Sequence, residues 1–169
     1  MAFDLFAFVD LYRRQLAIAR HLLHKGAEHA ASLGVSEADL FGWRLADDMH
    51  PLSFQLSTVI TFTQQWPARA AGLPVPDRVA PEPSVAAFDA AIAAADRFLA
   101  TLDPAGFAAN EDQPLRVQLN ETIAPTLPTG RWLSDFATTN IYFHTSIAYA
   151  ILRLKGVPLG KVDMFPSGF

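Results

Sequence analysis

The stretch Leu133-Ser-Asp-Phe136-Ala-Thr-Thr-Asn140-Ile-Tyr-Phe-His144-Thr-Ser-Ile147-Ala-Tyr-Ala-Ile151-Leu-Arg-Leu154, stopped by Gly156 and Pro158, decides the fold. Leu133, Phe136, Asn140, His144, Ile147, Ile151 and Leu154 recur at alternating three- and four-residue steps, the period of one face of an α-helix. Glycine followed by proline is the expected helix stop. Thr129 or Ser134 opens this helix, near 130–155.

Working backwards, three more segments carry the same stripe. Leu5, Val9, Tyr12, Leu16, Ala19, Leu23 and Ala30 predict a first helix near 3–31. Leu45, Met49, Leu52, Leu56, Val59 and Thr63 predict a second near 46–66, started by Asp47 and Asp48, with His50 in its first turn, and ended at Pro67. Ser84 caps a third near 84–103, whose stripe Phe88, Ile92, Ala95, Leu99 and Leu102 ends at Asp103-Pro104. Between the second and third, Gly72, Pro74, Pro76, Pro81 and Pro83 enforce an extended crossover. Over residues 104–130 the pattern is weakest, although Leu115, Val117 and Leu119 alternate with polar residues at strand period, which predicts a short hairpin or extended flap. The expectation is a single all-α four-helix-bundle domain spanning 1–169.

Composition narrows the function. The chain is 51% apolar and 18% charged, with 13 Lys and Arg against 17 Asp and Glu. So little charge implies a large core or a subunit interface, and a homodimer is expected. A net charge of −4 gives no basic field for a phosphate backbone, so no nucleic-acid partner is expected. With no cysteine there is no disulfide, thiolate nucleophile or Cys-type metal site. Residues 49–68 carry no Lys, Arg, Asp or Glu, but Gln55, Gln64, Gln65 and their Ser and Thr neighbours suit a helix buried in protein, not in lipid. The N-terminus reaches its first basic residues only at Arg13-Arg14, unlike a signal peptide, and a cytoplasmic protein is expected.

Two polar residues interrupt the apolar stripe of the last helix: Asn140 and His144, one turn apart. Buried without partners, each would cost roughly 1 to 3 kcal/mol. Either they are core groups satisfied by a carbonyl or carboxylate, or they line a cavity between the second and fourth helices, where His144 binds metal or polarises a substrate. His50, beside Asp47 and Asp48, could supply a second imidazole, and two imidazoles with one carboxylate would suit Zn²⁺, Ni²⁺ or Fe²⁺. His21, His24 and Glu28 on the first helix read as a solvated face. Gly156-Val-Pro-Leu-Gly160-Lys161-Val162 has the wrong spacing for a phosphate loop, and there is no serine-hydrolase elbow, zincin motif or dinucleotide turn.

Arg44-Leu-Ala-Asp-Asp-Met-His-Pro-Leu-Ser-Phe-Gln55 and Asn140-Ile-Tyr-Phe-His-Thr-Ser-Ile-Ala-Tyr-Ala-Ile-Leu-Arg153, running on to Gly156-Val-Pro-Leu-Gly-Lys161, resemble a bacterial domain-of-unknown-function family grouped with the DinB/YfiT-like metalloenzymes. The resemblance covers nearly the whole chain. It implies a left-handed up-down-down-up bundle, often dimeric, and in the wider superfamily three metal-binding histidines: one on the second helix and a His-x-x-x-His pair on the fourth. Some members of that superfamily are metal-dependent thiol transferases or isomerases. Here His50 matches the first position loosely, His144 matches the second histidine of the pair, and Asn140 stands where the first would be. The resemblance therefore implies a site at Asn140, His144, Tyr142 and Asp48, with any divalent metal weakly held by His50, His144 and Asp47 or Asp48. The expected function is binding of a small apolar or amphipathic molecule between the second and fourth helices. The alternative is a metal-dependent thiol transferase or isomerase.

Overall fold

The computed structural model describes residues 4–111, 113–166 and 168. Four long helices form the bundle: α1 (Ala7–Ser32), α3 (Leu52–Ala70), α4 (Val85–Ala100) and α7 (Thr139–Leu154). Short helices α2 (Glu37–Gly42), α5 (Pro104–Asn110) and α6 (Thr129–Arg131) punctuate the connections. The expected hairpin is present as β1 (Pro114–Arg116) antiparallel to β2 (Thr126–Pro128), with Leu115 opposite Leu127. No described helix is long and apolar enough to cross a membrane.

Side-chain contacts give the helix directions. Tyr12 donates to the Leu133 carbonyl, Gln15 meets Thr145 and His29 meets the Lys155 carbonyl, so α7 runs parallel to α1. Arg13 pairs with Asp96 while Arg20 and His24 pair with Asp89, so α4 runs against α1. Gln55 meets His144 and Phe62 meets Phe136, so α3 runs against α7. The order is up, down, down, up.

The ends differ from the sequence expectation in instructive ways. The second long helix starts at Leu52, not near 46, because a residue before proline is driven from helical angles and Pro51 thereby bars His50 from the helix. His50 precedes the first turn. At the other end the helix continues through Pro67 to Ala70. A proline there deletes only the bond to the Thr63 carbonyl, and the Ala71 N–H closes the helix back on Pro67. Ser84 caps α4 as its position predicts, and Asp103, expected only as part of that helix's stop, also caps the short helix α5. The expected start of the first helix at Phe3 lies outside the described residues.

The polar content of α3 goes to the crossover. Ser57 donates to the Val79 carbonyl, Thr61 accepts from the Val79 N–H and Gln65 donates to the Pro76 carbonyl, so one row at four-residue spacing straps residues 76–79 to the helix. Each such bond contributes about 1 kcal/mol net. On the adjoining face Trp66 stacks on Trp132 at 5.1 Å, Phe136 lies edge-on to both and to Phe62, and Trp132 donates to the Leu115 carbonyl, which seats the hairpin.

The largest departure is in the helix that decides the fold. Residues Trp132–Thr138 form a π-helical segment, which accommodates one extra residue in the turn. Beyond Leu133, Ala137, Ile141, Thr145, Ala148 and Leu152 are buried, each one position past the expected 136, 140, 144, 147 and 151. Ile151 is buried as well, Leu154 is 60% exposed, and Asn140 and His144 are half-buried. They border α3 instead of pointing down the bundle axis.

Candidate functional site

Leaving the axis, His144 meets Gln55. The two approach at 2.7 Å between His144 Nδ1 and Gln55 Oε1, and the Gln55 amide nitrogen donates to the His50 carbonyl at 2.9 Å. A carbonyl can only accept, so that second bond orients the amide with its oxygen toward the imidazole. His144 must then carry its proton on Nδ1 and leave Nε2 as a bare lone pair. Burial, aided by the nearby His50, lowers the His144 pKa to about 4, so the ring is neutral near pH 7. A neutral imidazole with an oriented Nδ1–H is suited to accept a hydrogen bond, take a proton or ligate a metal at Nε2.

Two rows at four-residue spacing face each other across this seam. Phe54, Thr58 and Phe62 lie along α3; His144, Asn140 and Phe136 run antiparallel along α7 and the π turn. Phe54 touches His144 with ring centroids 5.9 Å apart, and Phe62 touches Phe136 at 6.0 Å. The register therefore sets Thr58 opposite Asn140. Thr58 is 5% exposed and its hydroxyl has no partner among the described residues. Asn140 turns its amide nitrogen to the Phe136 carbonyl, leaving its oxygen without a protein donor among the described residues. One hydroxyl, one amide oxygen and one imidazole nitrogen thus line a seam closed by aromatic rings at both ends.

His50 is exposed and stacks on Phe54 at 3.9 Å. Asp47 and Asp48 are exposed on the turn before it, and among the described residues no three His, Asp or Glu side chains are arranged to hold a metal ion. The donor set implied by the resemblance is incomplete at Asn140, whose side chain is engaged with its own helix, so the residues present do not fit a three-histidine centre. Tyr142, two residues from His144, points away from the seam and lines a separate cleft against α1.

A family model described as a domain of unknown function, DUF1993, matches residues 6–165. The chain belongs to the DUF1993 family. It is also similar to the crystal structure of a DinB family member from Shewanella denitrificans, with a TM-score of 0.82 and 26% identity over 95% of this chain and 90% of that one. No curated protein matches the chain. This chain thus has a DinB-like fold.

Gln55, Thr58 and Phe54 belong to the seam but were not among the sequence candidates. The signal was present: polar side chains in a helix with no charge for its whole first half need a reason to be buried, and the crossover explains only Ser57, Thr61 and Gln65.

Proposed function

We propose that the protein binds a small molecule along the α3–α7 seam, with His144 Nε2 accepting a hydrogen bond from a ligand hydroxyl or amide and the Thr58 hydroxyl and Asn140 oxygen flanking it. The observation that carries this reading is the fixed tautomer: Gln55 holds the proton on Nδ1, and the only polar atom of His144 left for a ligand is a neutral acceptor. Phe54 and Phe62 supply the apolar walls that small-molecule sites use around a few polar groups. Ligand-observed NMR against a fragment set of aromatic alcohols and amides tests it. Hits should weaken about tenfold in His144→Ala and Thr58→Val, the loss of one hydrogen bond to a buried partner. Hits indifferent to both substitutions would refute the reading.

The alternative is a metal-dependent transferase or isomerase acting on a thiol. The neutral lone pair at His144 favours it, since that is the ligating form of imidazole. Metal analysis of untagged protein separates the two, because the alternative needs near-stoichiometric divalent metal. The proposal also holds the protein to be a homodimer, supported by exposed Leu33, Phe143 and Leu154 on a chain poor in charge. A monomeric mass by light scattering at micromolar concentration would exclude that.

A further inference from the structure

On the far side of α7 from His144, the structure has a cleft of about 590 Å³ between α1, α7 and the C-terminal 3₁₀ turn Lys161–Met164. That volume lies in the range of small-molecule sites. Its walls are apolar: Leu11 and Ile18 on α1 face Met164 on the turn. The turn is pinned by its own chemistry, because Asp163 accepts from the Gly160 N–H and from His21 of α1, contacts that hold its carboxyl below the usual pKa range.

The polar groups at this cleft have one sign. Arg14 and Lys161 border it, neither has a hydrogen-bond or ion-pair partner among the described residues, and no described Asp or Glu lines it. At its floor Gln15, 2% exposed, has its amide against Thr145 at 3.3 Å, which leaves the other end of a buried amide to the cleft. Tyr142 adds a hydroxyl. A cleft of similar size between α1 and α4 makes the contrast, because Asp96 lines it and its Arg13, Arg20, His21 and His24 are each paired with a carboxylate, which leaves Arg97 alone without one among the described residues. We infer that the α1–α7 cleft binds a small amphipathic carboxylate, its apolar body against Leu11, Ile18 and Met164 and its carboxylate between Arg14 and Lys161. This site goes beyond the α3–α7 seam and does not depend on it.

Methionine reporters make the test specific. Met164 lines the cleft, whereas Met49 adjoins His50 at the end of the seam. In full-length protein labelled with ¹³C at methionine methyls, titration with decanoate should shift Met164 and leave Met49 still. Decanol, with the same chain and no charge, should bind about tenfold more weakly, the effect of roughly 1.4 kcal/mol of charge pairing. The exposed double substitution Arg14→Gln with Lys161→Gln should abolish that preference while leaving decanol binding as it was, and His144→Ala should change neither. A still Met164, movement of Met49 in its place, decanol binding as tightly as decanoate, or a preference that survives loss of both cations would each overturn the assignment.

Discussion

Gln55 and His144 are joined by one hydrogen bond of 2.7 Å that decides where the imidazole keeps its proton. The amide can play this part only because its nitrogen is committed to the His50 carbonyl, on the segment that Pro51 excludes from α3. A backbone feature at the start of one helix thus sets the protonation of a side chain on another.

Nitrogen-15 NMR should show His144 with a protonated, pyrrole-like Nδ1 and an unprotonated Nε2 at pH 7. Gln55→Leu removes the acceptor and leaves a half-buried N–H unpaired, so the Nε2–H tautomer should gain population and stability should fall by about 1–3 kcal/mol in urea titrations. An unchanged tautomer in that variant would show that Gln55 does not set it.

Stability should also depend on pH through His144. Its pKa is lowered from 6.5 to about 4 in the folded chain, so between those values the unfolded chain binds more protons. Stability is therefore full above about pH 6.5 and declines as pH falls toward 4, by about 1–2 kcal/mol once solvent access to the ring is allowed for. His144→Gln should flatten the profile over that window and leave the steeper acid loss below it, where carboxylates such as Asp163 protonate.

Asn140→His would complete the His-x-x-x-His spacing on the face that borders α3. Zinc affinity measured by competition with a chelator should rise at least about tenfold, as expected from one imidazole replacing a neutral amide. An affinity no higher than that of the unaltered protein would show that the α3–α7 seam cannot be closed into a metal centre by that one ligand.

At Gly26 the Leu152 side chain of α7 packs closely on α1. A Cβ there would lie 2.7 Å from Leu152 Cδ2, and Leu152 is fully buried. Alanine would gain up to about 1 kcal/mol of helix propensity but incur about 1–3 kcal/mol of overpacking, so Gly26→Ala should be net destabilising. In a Leu152→Ala background the same substitution should become neutral or stabilising. A double-mutant cycle with no coupling would contradict the close approach.

The bundle was legible because burying an apolar stripe at helical period has few solutions, and the cap at Ser84 and the stop at Asp103-Pro104 spoke through their own side chains. The placement of Asn140 and His144 was legible only in part. They share a face and approach the second long helix, as their spacing requires, but reading them as core assumed an uninterrupted period through Phe136. Nothing in Trp132-Leu-Ser-Asp-Phe-Ala-Thr138 announces a π turn by composition. Its cause is tertiary: Trp132 and Phe136 pack on Trp66 and Phe62, while Tyr12 and Thr138 both hydrogen-bond the Leu133 carbonyl. His50 lies outside the second long helix for a local reason that was readable, the proline that follows it.

That wide turn makes the chain sensitive to counting instead of chemistry. A π turn holds about one residue more than an α turn, and each residue of an α-helix advances the winding by about 100°, so Trp132–Thr138 wound as ordinary α-helix at unchanged length would swing everything beyond it by about that angle. Asn140 and His144 would then turn inward and Ile141 and Thr145 outward, although no side chain in α7 had been altered. Deleting one residue together with the wide turn would instead leave those faces where they are. Natural relatives that keep the seam should therefore either hold the wide turn or be one residue shorter between positions 132 and 138.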